Sequence, residues 1–176
     1  MAAPACPLKQ LPRPASEDLG RYQFQVVTAN VTDAVTAIGG LIFDRAMAGW
    51  DVRVVVQADT DRGIDDRPIR ILGAKVGNLA GRPNRAEMSP RPHTLAVATD
   101  VLVRSQAVRR QVLAAGNDNA TDVLLWGRYR PPNLNCRFIP VRHRPSAAAH
   151  VFKSHALAAG GAMAVQQADE GFYSMA

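Results

Sequence analysis

The stretch Tyr22–Gln57, YQFQVVTANVTDAVTAIGGLIFDRAMAGWDVRVVVQ, decides the fold. Its opening, YQFQVVT, alternates and then turns wholly apolar, as a strand does on entering a sheet covered on both faces. Asn30 is placed to cap a helix, and Asp33 three residues on favours the positive end of its dipole. Val31, Ala34, Val35, Ile38, Leu41, Ile42 and Met47 recur near the 3.6-residue period, which predicts a helix from about Val31 to Ala48 ended by Gly49. Gly39 and Gly40 inside it cost roughly 1 kcal/mol each relative to Ala, a penalty offset if the helix approaches a sheet closely. DVRVVVQ (Asp51–Gln57) is rich in β-branched residues and reads as a second strand, so the stretch is a βαβ unit.

Working outward, the polar turn ADTDRGIDDR follows, and PIRIL (Pro68–Leu72) is expected as a third strand. Gly73, Gly77 and Gly81 recur around Lys75. HTLAVAT is a fourth strand, Thr99 or Asp100 caps a helix over about Val101–Ala115, and Gly116 and Asn117 end it. DVLLWG (Asp122–Gly127) is a fifth strand. RFIPVR is a sixth, expected at an edge because Pro140 cannot donate to a ladder. Pro145 suits the first turn of a last helix reaching about Ala159, where Gly160 and Gly161 stop it.

Residues 1–20 hold four prolines without periodicity and are expected as a flexible arm, residues 21–161 as one α/β domain, and residues 162–176 as a flexible tail. Alternating strands and helices imply a single-domain, three-layer α/β sandwich with a mainly parallel sheet of five or six strands. It is Rossmann-like without the glycine fingerprint. TANVTD stands where GxGxxG would follow the first strand, and GxxxxGK[ST] and GxSxG are also missing.

At 176 residues, with 47% hydrophobic and 20% charged side chains, the chain is long and apolar enough for one core. Arg outnumbers Lys 18 to 3, a bias that a high-GC bacterial genome produces through its codons. Cys6 and Cys136 have no metal-ligand spacing; a disulfide between them would tie down the arm, but two reduced thiols in a cytoplasmic protein are the expectation. No apolar run reaches membrane-spanning or signal-peptide length.

Two arrangements compete as the functional site. The first is basic. Between Asp122 and Asp169 there is no acidic residue, while Arg128, Arg130, Arg137, Arg142, Arg144 and Lys153 lie there. With Trp126, Tyr129 and Phe138 interleaved, these arginines point to a non-catalytic binding module or accessory subunit that engages nucleic acid or an acidic protein surface. The arm or the tail is a further contact for a protein complex. No helix-turn-helix, RNP or zinc-finger context accompanies the segment, and catalysis is not its leading reading.

The second arrangement follows from the rule that open α/β sheets bind ligands beyond the carboxyl ends of their strands. There the sequence delivers Thr28 and Asn30, Asp59 and Asp61, Gly73 and Lys75, Thr99 and Asp100, and Trp126 and Arg128. Asp59 and Asp100 as carboxylates, with Lys75 or Arg128 as anion clamp, would make an enzyme of phosphorylated or other anionic small molecules. Asn30, Thr99 and Asp100 serve equally well as helix caps. No cofactor and no metal site is expected. His93 and His143 are isolated, His150 and His155 stand five apart and off one another's face, and the acidic turn lacks the calcium-loop pattern. His143, between Arg142 and Arg144, is expected to have its charged form disfavoured by those neighbours.

Overall fold

The computed structural model describes residues 21–57, 64–78, 92–117, 120–127, 138–163 and 167–175. Strand β1 (Gln23–Thr28), helix α1 (Val31–Met47) and strand β2 (Asp51–Val56) form the unit expected from the opening stretch, with β1 and β2 parallel. After them come α2 (Arg67–Ile71), β3 (Lys75–Asn78), β4 (Thr94–Ala98), α3 (Thr99–Arg104), α4 (Gln106–Asn117), β5 (Asp122–Trp126), β6 (Phe138–His143), α5 (Ala147–Ala159) and β7 (Glu170–Met175). The described residues thus form one mixed α/β unit around a seven-stranded sheet ordered β3-β2-β1-β4-β5-β7-β6. Its first five strands are parallel, and β7 and β6 close one side antiparallel.

Central position explains composition. Every residue of β4, TLAVA, is buried, and in β1 only Gln23 is not. Edge position explains the rest. β6 exposes Ile139, Pro140 and Arg142, and Pro140 lies on the outermost strand, where a missing donor does little harm.

Three elements differ from expectation. PIRIL is the helix α2 with Pro68 in its first turn, and the third strand is Lys75–Asn78. A short apolar run bounded by breakers fits helix or strand equally, and here the buried Pro68 and Ile69 are met by α5 and α1. The helix after β4 breaks at Ser105, whose Oγ accepts the Val108 N–H at 3.3 Å and so starts α4. The third difference corrects both the tail and the strand count. Residues 170–175 form β7, seated between β5 and β6, so the sheet has seven strands.

That last strand carries a buried charge. Glu170 and Lys153 of α5 lie 2.6 Å apart, with side-chain exposures of 0% and 7%. The Glu170 carboxylate also accepts the Gly40 N–H at 2.7 Å and the Leu41 N–H at 2.9 Å. Those groups are available because α1 is broken at Ile38, whose φ of −135° and ψ of 15° are not helical. Gly40 is required there, since a Cβ would sit 2.6 Å from Cγ of Pro145 and 3.0 Å from Oε1 of Glu170. A close approach does occur at this glycine, but to Pro145 ahead of α5 and to the Glu170 side chain, where an approach to the sheet itself was expected.

Candidate active site

β1 leads to β2 on one side of the sheet and β4 leads to β5 on the other, so strand order reverses between β1 and β4. Adjacent connections diverge at that point, which is where open α/β sheets hold their ligand crevice, at the carboxyl ends. The first turns of α1 and α3 and the end of β5 meet there.

Each residue there is fixed from its own local structure. Thr28, fully buried at the end of β1, donates its hydroxyl to the Asn30 carbonyl at 2.9 Å. Asn30 has extended φ/ψ, and its Oδ1 accepts the Asp33 N–H at 2.7 Å, capping α1. The cap sets Asp33 in the first turn. Oδ2 of Asp33 then accepts a hydrogen bond from Nε1 of the buried Trp126 at 3.2 Å, across 93 residues of sequence. Burial pushes the Asp33 carboxyl above its ordinary value, the Trp126 bond opposes this, and repulsion from Asp100 adds to the rise. Asp100, in the first turn of α3, uses Oδ1 to accept the Val101 N–H at 2.9 Å. Gly127 turns the chain after Trp126 at φ 126°, and any Cβ there would collide with the Thr99 hydroxyl.

This crevice can therefore do general acid–base work. A partly buried carboxyl with a raised pKa, held by a neutral donor beside a second carboxylate, is the arrangement that lets an Asp exchange protons nearer neutrality. Among the described residues no group of three or more His, Cys, Asp or Glu is placed to hold a metal ion.

The alternative trio is not assembled. Lys75 begins β3, and its Nζ lies 2.8 Å from Oδ1 of Asp51 at the start of β2. Asp100 follows the end of β4, so the two occupy opposite ends of the sheet. Asp51 also takes Nε of Arg53 at 2.9 Å, and although burial raises its pKa, the bonds from Lys75 and Arg53 outweigh this and lower it. Asp59 lies outside the described residues.

Of the basic residues, Arg128, Arg130 and Arg137 also lie outside the described residues. Arg142, 80% exposed on the outer strand, stands 3.8 Å from Asp169, and Arg144 is exposed beyond it. Lys153 turns inward to Glu170 and contributes nothing to a surface. His143 faces more than its flanking arginines: its Nε2 lies 2.9 Å from Oδ2 of Asp44, a carboxylate contributed by α1. That carboxylate also accepts the Ser146 hydroxyl at 2.6 Å and the Ser146 N–H at 3.1 Å.

Asp33 stood in the sequence only as a helix-dipole partner, and its pairing with Trp126 required the fold. The available signal was its place, three residues past the cap that follows the first strand. Glu170 had none, because one acid in a polar terminus looks like a solvated one.

No protein-family model matches the sequence, and no curated protein matches it. The fold does have counterparts among solved structures. The zinc-inhibited form of the teicoplanin deacetylase Orf2 superimposes with a TM-score of 0.60 at 11% identity, over 88% of this chain and 98% of that one. A triple mutant of a deacetylase of the teicoplanin biosynthetic pathway gives 0.59 at 13% identity, over 87% and 96%. The A40926 pseudoaglycone deacetylase Dbv21 gives 0.56 at 13%, over 79% and 81%. The shared fold is one in which enzymes are built. It overturns the expectation of a non-catalytic binding module acting through a C-terminal basic face, and favours the strand-end alternative. No helix among the described residues is long and apolar enough to cross a membrane.

Proposed function

We propose that this chain is a hydrolytic enzyme of the carboxyl-end crevice, removing an acyl group from an amide nitrogen of a small molecule. One observation carries the reading: the half-buried Asp33 carboxyl, pushed up by burial and pinned by Nε1 of Trp126, sits at the switch point of the sheet. Its occurrence in a fold shared with deacetylases selects acyl removal among the reactions such a group can serve.

In this reading Asp33, ionised, takes a proton from water as its oxygen adds to the acyl carbonyl. The C–N bond then breaks, and the same proton passes from Asp33 to the departing nitrogen, leaving a free acid and an amine. Trp126 keeps the carboxylate from rotating away, and Asp100 keeps the proton affinity of Asp33 high enough for it to act as base. The helices are taken to lie on both faces of the sheet in three layers, a reading supported by the complete burial of β4. Work in the cytoplasm belongs to the same proposal.

The test is release of acetate from a panel of N-acetylated amino sugars and amino acids. Turnover should appear for at least one class, and Asp33→Asn should lower kcat by about 100-fold or more, the usual scale for a lost general base. Acetate release unchanged in Asp33→Asn, or absent across the panel, would dismiss the assignment.

A further inference from the structure

The pair Glu170–Lys153 takes no part in the chemistry above, yet it places two opposite charges in the interior. Both side chains are removed from water, which repays the desolvation only when each charge is fully partnered. Glu170 achieves this through three contacts, and two of them are main-chain N–H groups of α1. In an unbroken helix those two N–H groups would bond to carbonyls four residues back, at Thr36 and Ala37. The non-helical Ile38 turns them out instead. The carboxylate thus acts as an internal cap for the half of α1 that follows the break.

The break separates α1 into two segments with different duties. Residues 39–47 pack in the core, burying Leu41, Ile42 and Phe43, while residues 31–37 carry Asp33 to the crevice. Restoring the missing bonds would straighten the helix and move the first segment, and the Asp33 carboxyl with it, relative to Trp126 on β5. Glu170 belongs to β7, which is paired with β5 in the register Leu124↔Ser174 and Leu125↔Tyr173. One strand is therefore tied both to the break in α1 and to the strand bearing Trp126.

We propose that Glu170 is a positioning residue for the crevice: by capping Gly40 and Leu41 it holds α1 broken, and the break aims Asp33 at Nε1 of Trp126. The idea rests on Asp33 as the working group of the proposed function, but its readout needs no turnover. In a Trp50→Phe background Trp126 is the remaining tryptophan, and its fluorescence should follow ionisation of the carboxyl hydrogen-bonded to it. Among the described residues the charged groups facing Trp126 and Asp33 there are Asp33 itself and Asp100, and Asp33→Asn identifies the step as that of Asp33.

The parent should show a fluorescence step above the ordinary carboxyl range. Glu170→Gln combined with Lys153→Met removes both charges and keeps the volumes, so it should fold. It should lose the step or move it down by at least about half a pH unit, a threefold change in proton affinity. Lys153→Met alone keeps the cap and should leave the step in place. If the double variant does not fold, Glu170→Asp, too short to reach both N–H groups, takes its role and should show the same loss or downward shift. A step that superimposes on the parent's in the double variant, or in Glu170→Asp where that variant takes its place, would overturn the proposal. A step that moves while no variant hydrolyses any amide would retain the positioning role and remove the acyl hydrolase reading.

Discussion

Asp33 concentrates what a single residue decides in this protein. Its N–H completes the Asn30 cap, while its side chain is drawn into a partly desolvated crevice beside another acid. A carboxyl whose folded pKa is raised is held at a cost once ionised: the fold loses stability as pH rises through that folded value and is unaffected below the unfolded one. Asp33→Asn imitates the protonated form. It should therefore raise Tm at pH 7 relative to the parent, with the difference vanishing as pH falls below 3.8, the ordinary value for the group. Thermal unfolding of both proteins across that range checks the sign. A variant that lowers Tm at pH 7 would show that Asp33 is there for structure. Asp44 and Asp51 behave in the opposite sense. Burial works against them, but their hydrogen bonds prevail and lower their pKa, so both favour the fold at neutrality and cease to do so in acid.

Among the elements, α1 illustrates how far sequence patterning reaches. Its cap, its glycine pair and its apolar stripe apart from the exposed Met47 were legible, and the helix lies where the 3.6-residue period placed it. The break was not, because helical periodicity survives one non-helical residue and the group that compensates it lies about 130 positions away in sequence. The buried pair makes this dependence measurable. Glu170→Ala leaves the Lys153 ammonium and two N–H groups without partners, and should cost about 3–5 kcal/mol in denaturant unfolding. The paired substitution Glu170→Gln with Lys153→Met should recover most of that loss, since no charge then remains inside. A single-variant cost below about 1 kcal/mol, the scale of an exposed pair, would mean that the interior tolerates the unpaired lysine. α2 is the contrasting case: five residues with one Pro in the first turn gave no period to read, and packing against α5 chose helix.

At the scale of the whole molecule, the sheet depends on its last strand more than its chain position implies. β6 pairs only with β7 among the described strands, and β7 in turn pairs with β5, so removing residues 168–176 strands β6 and takes the buried Phe172 out of the core as well as uncapping α1. Truncation after Gln167 should abolish cooperative unfolding or solubility, whereas removal of Ala176 alone should leave Tm within about 2 °C, the scale of a change well below 1 kcal/mol. A truncated chain that unfolds with the parent's Tm would show that β7 is dispensable. The sequence by itself determined the βαβ unit, the parallel centre and the edge placement of Pro140, because periodicity, β-branching and a missing donor are local properties. Strand order, the insertion of β7 between β5 and β6, the meeting of Asp33 with Trp126 and the inward turn of Lys153 were decided only in the tertiary structure. Each joins groups distant along the chain, and it is the desolvation of the assembled core that selects those partners over water.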